Sequence, residues 1–109
     1  MTEVLRWPLA RRILLLGAHA DDIEIGCGGT VLDLLAARDG VEVTWVVFSG
    51  AEARAREARL SASAFAQRAG QLRVQVEDFR DGYFPLQGAE IKNAFERLKG
   101  EVDPDLVFT

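Results

Sequence analysis

A histidine and two adjacent carboxylates are the residues of this sequence best suited to chemistry. His19 is the only histidine, and it stands two residues before the pair Asp21-Asp22. Imidazole nitrogen and carboxylate oxygen are normal zinc ligands, and a catalytic zinc commonly takes three protein ligands and a water. His19 and Asp22 are three residues apart and can point inward together, while Asp21 stays free. A carboxylate beside a metal can serve as general base, so the spacing indicates half of a metal site.

Other interpretations of the same residues remain open at this point. A lone histidine in a loop is more often a structural hydrogen-bonding residue, and Asp-Asp before a helix commonly serves capping and turn formation. A dinucleotide loop is also conceivable, because glycines 26, 28 and 29 follow. However, the Gly-x-Gly-x-x-Gly fingerprint is absent, and two carboxylates would repel a pyrophosphate.

The elements that must position these residues alternate along the chain. Hydrophobic patterning predicts strands at 12–16, 41–48, 72–76 and 105–108, the third of them near a sheet edge. A glycine-rich loop is expected at 26–29, with helices from Thr30 to about Gly40, from 52 to 69, and around 91–98 up to Gly100. Such βαβαβαβ alternation predicts an α/β protein, a three-layer Rossmann-like fold with a parallel sheet. With a strand order of 3-2-1-4, the His19 loop lies at the carboxyl ends of the strands, where such folds bind ligands.

Composition excludes several classes of function. The 109 residues carry 13 Lys and Arg against 17 Asp and Glu, a net charge of −4, which argues against a nucleic-acid groove. The longest aliphatic run has four residues, whereas a membrane span needs about 20. The single cysteine, Cys27, is compatible with a reducing compartment, so we expect a cytoplasmic protein without a membrane span. Residues 1–10 are expected to be a tail, and 11–109 the N-terminal part of a single domain.

The loop after the first strand resembles a known family signature. It reads Ala18-His19-Ala20-Asp21-Asp22-Ile23-Glu24-Ile25-Gly26-Cys27-Gly28-Gly29-Thr30. This is similar to the signature of the PIG-L or LmbE-like zinc-dependent N-acetylglucosaminyl deacetylases: His-Pro-Asp-Asp, then acidic residues and Gly-x-Gly-Gly-Thr. Segments 54–58, 79–85 and 104–109 also resemble the family's Arg-x-x-Glu helix, Asp-Gly loop and fourth strand.

The resemblance implies a role for each matching residue. His19 and Asp22 would bind Zn²⁺, Asp21 would be the catalytic general base, and Arg54 and Asp81 would bind the substrate. If the family resemblance is set aside, the arginines of the second helix are interpreted as a solvated face and Asp81 as a turn former. The implied activity is hydrolysis of a linear amide, removing the N-acetyl group of an amino-sugar conjugate. The alternative is a noncatalytic sugar- or nucleotide-binding domain on the same scaffold.

Two departures from the family pattern affect these expectations. Ala20 replaces the usual proline, which should loosen the loop without removing a ligand. The family's third zinc ligand is a histidine in a His-x-Asp-His-like motif directly after the fourth strand, and the sequence ends there, at Thr109. We therefore expect the third ligand beyond Thr109 and expect the 109-residue chain alone to be inactive. The expected partners are an N-acetylated sugar conjugate and a possible second copy of the chain.

Overall fold

The computed structural model describes residues 10–50 and 52–109. Strands and helices alternate within these ranges: β1 (Arg12–Gly17), α1 (Asp22–Ala37), β2 (Glu42–Val47), α2 (Glu52–Phe65), β3 (Gln71–Val76), a short 3-10 helix (Phe84–Gln87), α3 (Gly88–Val102) and β4 (Leu106–Phe108). Most of the predicted tail at 1–10 lies outside the described residues. None of the helices in the described ranges is long and apolar enough to cross a membrane.

The four strands form one parallel sheet in the order β3-β2-β1-β4, as predicted. Because successive strand residues face opposite sides, the aliphatic run of β1 serves two cores. Ile13 and Leu15 pack toward α1 and α2, whereas Leu14 packs with Ala94 and Leu98 of α3. Helices therefore cover both faces of the sheet, and the predicted three-layer α/β architecture is confirmed. Strand β3 lies at an edge of this sheet, also as predicted.

Helix α1 begins at Asp22, eight residues before the predicted start at Thr30. The predicted glycine-rich loop at 26–29 is wrong, because these residues lie inside the helix. Ile23, Val31 and Leu35, at spacings of four and eight residues, are all buried against the sheet. Tertiary packing of this apolar stripe offsets the low helix propensity of glycine. Two acidic residues in the first turn also favour a helix start there, by interacting with the helix dipole.

Helix α3 continues past Gly100, where the sequence pattern predicts its end. Val102 is buried against the core under α3, so two more residues are held in the helix. Asp103, at φ 46°, adopts the left-handed conformation that commonly follows a helix, and Pro104 cannot continue it. Helix α2 is shorter than predicted, because it ends at Phe65 rather than at residue 69.

Two neighbouring glycines of α1 provide a matched test of this packing. A Cβ built on Gly28 would lie 2.6 Å from Cε1 of Phe65 on α2, whereas a Cβ on Gly29 meets nothing within 4 Å. We expect Gly29→Ala to raise the free energy of unfolding by about 0.4–1 kcal/mol. Gly28→Ala should lower it by about 1–3 kcal/mol through overpacking. Urea unfolding measures both, and equal gains would contradict the close approach of α1 and α2.

Candidate active site

Three loops meet at the carboxyl end of the sheet. His19 follows β1, Ser49 follows β2, and Asp81 lies in the loop after β3. The Ser49 hydroxyl donates a hydrogen bond to the Ala18 carbonyl at 2.7 Å, and its backbone N–H donates to the same oxygen at 3.0 Å. The Phe79 N–H donates to the carbonyl of the residue before Ser49 at 3.1 Å. These bonds hold the loops against the end of β2 and so position His19 near Asp81.

The imidazole of His19 lies between two carboxylates. Its Nε2 is 2.7 Å from Oδ1 of Asp81, and its Nδ1 is 3.3 Å from Oδ2 of Asp22. The backbone N–H of His19 also donates to Oδ2 of Asp22 at 2.9 Å. The ring of Phe84 stacks on the imidazole, with centroids 6.3 Å apart and planes 12° from parallel. Contacts on both nitrogens and on one face therefore fix the orientation of the ring.

These contacts shift the protonation equilibria of the site. The hydrogen bond with Asp81 raises the pKa of His19 above its ordinary value; desolvation opposes this, and the charges of Asp81 and Asp22 add to the increase. The same hydrogen bond lowers the pKa of Asp81, and the positive charge of Arg54 contributes to that lowering. Because a metal needs the neutral imidazole, protons and metal compete for His19.

The donor set of this loop fits part of a zinc site. His19 and Asp22 present a nitrogen and an oxygen, both normal zinc ligands, on one side of the imidazole. Asp21 precedes the first residue of α1, and its exposed carboxylate makes no cap hydrogen bond with that helix. Within residues 10–50 and 52–109, no group of three or more His, Cys, Asp or Glu could hold a metal. The described residues thus offer two side chains of the kinds that zinc binds and, beside them, an aspartate whose carboxylate makes no cap hydrogen bond.

Arg54 lies near the site, on the first turns of α2. Its guanidinium is 4.0 Å from Glu57, the local ion pair expected for this helix, and its charge influences Asp81. Arg59, five residues later, instead donates to the carbonyl of Val74 in β3 at 3.0 Å. The arginines of α2 therefore differ in their contacts, and the charge of Arg54 helps to lower the pKa of Asp81.

Sequence reasoning missed two residues that shape the site. Ser49 anchors the His19 loop, and Phe84 stacks on the His19 ring. Position alone could have identified Ser49, because it directly follows the predicted strand 41–48, and the carboxyl ends of parallel strands lie at the same edge. Phe84 had only a weak signal, as an aromatic residue three positions after Asp81 in a loop.

The pKa shift of His19 is directly testable by NMR titration. We expect His19 to titrate above the ordinary histidine value of about 6.5. Asp81→Asn should bring its pKa back toward that value, whereas Asp78→Asn in the same loop should not. The pKa of His19 is higher in the folded than in the unfolded chain. Its pairing with Asp81 therefore stabilises the fold at pH values below the unfolded pKa, and this stabilisation is lost as pH rises through the folded pKa. The Asp81 side chain is 74% exposed and that of His19 about half exposed, so this contribution is small. The same His19 pKa in the wild type, Asp81→Asn and Asp78→Asn would contradict the contact between His19 and Asp81.

Comparisons with known proteins bear on the family and the fold. The sequence profile of PIG-L, GlcNAc-PI de-N-acetylase, matches residues 14–109. The fold is similar to the solved N,N'-diacetylchitobiose deacetylase from Pyrococcus horikoshii complexed with its inhibitor MPG, with a TM-score of 0.70 and 28% identity. The match covers 93% of this chain and 41% of that one, so the chain spans about two fifths of its length. Curated protein sequences yield no significant match. Because the profile covers most of β1, the His19 loop and everything after it, the chain belongs to the PIG-L family.

Proposed function

We propose that this protein acts in a zinc-dependent N-deacetylase that hydrolyses the N-acetyl amide of an amino-sugar conjugate. The observation that carries this proposal is the pairing of His19 with Asp22 beside an unengaged Asp21, in a chain of the PIG-L family. The similar solved structure is named as a deacetylase of N,N'-diacetylchitobiose, which supports an acetylated amino sugar as the substrate class. The proposed compartment is the cytoplasm, where a lone thiol such as Cys27 stays reduced.

His19 and Asp22 are the proposed zinc ligands, with a third protein ligand that is not among the described residues. When bound, zinc supplies a Lewis acid that polarises the acetyl carbonyl and lowers the pKa of the attacking water. Asp21 accepts a proton from that water as the water oxygen bonds to the carbonyl carbon. Asp21 then returns the proton to the sugar nitrogen as the C–N bond breaks, and acetate and a free amine leave.

Arg54 and Asp81 are the proposed substrate-binding residues. Arg54 is exposed on α2 and close enough to Asp81 to influence its ionisation. Asp81 directs one oxygen at His19, and its side chain is 74% exposed, which leaves the other oxygen accessible to a substrate hydroxyl. The guanidinium of Arg54 suits a phosphate or carboxylate linked to the sugar, since it donates in a planar fork.

Release of acetate tests the proposal. The full-length polypeptide, loaded with zinc, should release acetate and free amine in equal amounts from an N-acetylated amino-sugar conjugate. The competing function is a noncatalytic sugar-binding domain, which predicts binding of the same conjugate without release of acetate. Isothermal titration of the conjugate alongside the acetate assay distinguishes the two.

A further inference from the structure

The two nitrogens of the His19 ring have different surroundings. Nε2 faces Asp81 at 2.7 Å, and Nδ1 faces Asp22 at 3.3 Å. Only one of these nitrogens can bind a metal while the other donates a hydrogen bond, since a neutral imidazole carries one N–H. The two distances therefore indicate which nitrogen binds the metal and which donates the hydrogen bond.

The distances fit different kinds of interaction. Two ligands that each lie about 2.1 Å from a tetrahedral zinc are about 3.4 Å apart. The separation of 3.3 Å between Nδ1 and Oδ2 of Asp22 is close to this value. The separation of 2.7 Å between Nε2 and Oδ1 of Asp81 is too short for such a pair, but it is the normal length of a charge-assisted hydrogen bond.

We propose that Asp81 is a positioning residue, which holds the Nε2–H of His19 so that Nδ1 is the nitrogen presented to the metal beside Asp22. This rests on the proposed function, because it assigns roles within that zinc site. A carboxylate on the second nitrogen of a metal-binding histidine fixes the tautomer and the ring orientation, and strengthens the ligand. The stacked ring of Phe84 restricts the same imidazole, so its plane is held from two directions.

The loop that carries Asp81 is built to keep this contact. Its first part is anchored to the residue directly after β2, because the Phe79 N–H donates to the Phe48 carbonyl at 3.1 Å and the two rings lie 6.2 Å apart. Gly82, directly after Asp81, has a φ of 80°, which an L side chain rarely adopts. The chain can therefore turn sharply at Asp81 and direct its carboxylate toward His19.

The tautomer of His19 tests the role of Asp81 without any metal. Because His19 is the only histidine, chain labelled with ¹⁵N-histidine gives one pair of ring resonances, and protonated and unprotonated nitrogens differ clearly in shift. At a pH well above the His19 pKa, we expect Nε2 to carry the proton. Asp81→Ala should raise the fraction with Nδ1–H, since Asp22 becomes the one carboxylate acceptor on the ring. Asp78→Ala, in the same loop, is the control and should change nothing.

Wild-type chain with the proton on Nδ1, or an unchanged tautomer in Asp81→Ala, would overturn the inference. If Asp81 only binds substrate, Asp81→Ala should leave the His19 tautomer unchanged and should raise the KM of the full-length enzyme. Circular dichroism checks that each variant is folded.

Metal binding supplies an independent measurement. Cadmium-113, a spin-active substitute for zinc, should couple to Nδ1 of His19, and coupling to Nε2 would overturn the inference. In the full-length polypeptide, Asp81→Ala should weaken zinc affinity about 10–100-fold, and Asp78→Ala should leave it unchanged. If His19 binds no metal at all, the proposed function is contradicted rather than the role of Asp81. The comparison of His19 tautomers in the wild type and Asp81→Ala then tests the role of Asp81 independently.

Discussion

Replacement of Asp21 by asparagine is expected to lower deacetylase turnover by about 10²–10⁴-fold, the usual contribution of a general base. The exposed carboxylate stands beside the proposed ligands at the start of α1, and asparagine keeps its shape but cannot accept the proton of the attacking water. Zinc content should be unchanged, because Asp21 is not one of the proposed ligands. The measurement is kcat for acetate release, with zinc determined on the same sample.

Asp33→Asn is the matched control for this variant. Asp33 is an exposed aspartate of α1, twelve residues after Asp21, so its replacement by asparagine removes the same charge away from the site. It should keep full turnover. Comparable turnover of Asp21→Asn and Asp33→Asn would contradict the assignment of Asp21 as general base.

Replacement of His19 by alanine is expected to abolish both zinc binding and turnover. The variant removes one of the two proposed ligands, so the loss of zinc affinity should exceed the roughly 100-fold upper limit typical of residues that only support a ligand. Elemental analysis after dialysis measures zinc, and acetate release measures activity. His19 is 48% exposed in its side chain, so the variant should remain folded.

The noncatalytic alternative makes a different prediction for the same protein. A sugar-binding domain should keep its affinity for the conjugate in His19→Ala and in the presence of a chelator. Retention of tightly bound zinc by His19→Ala would contradict the ligand assignment directly.

Most of the architecture could be predicted from hydrophobic patterning. Patterning predicted a strand at 12–16 within a three-layer parallel sheet, and the structure places one core on each side of β1. The misplaced start of α1 has a specific cause. Glycines 26, 28 and 29 suggested a loop, but Gly28 allows close packing of α1 on Phe65, and the buried stripe from Ile23 to Leu35 continues across them.

The candidate site was less accessible to sequence reasoning. The contact of His19 with Asp22 follows from a spacing of three residues at the start of a helix. The contact of His19 with Asp81 joins residues 62 positions apart, through a loop that passes the end of β2. No periodicity reports such a contact, and Asp81 entered the predicted site through the family resemblance alone. The stacking of Phe84 on His19 depends on the same loop, and an aromatic residue three positions after Asp81 was only a weak indication of it.

The central claim is that His19, Asp22 and Asp21 form the metal-dependent centre of an N-deacetylase, and removal and return of zinc tests it most directly. Acetate release by the full-length polypeptide should fall to background after chelation and dialysis. It should recover as one equivalent of zinc per site is restored, whereas Asp21→Asn should take up the same zinc without recovery. Acetate release that persists in the zinc-free protein would contradict the account.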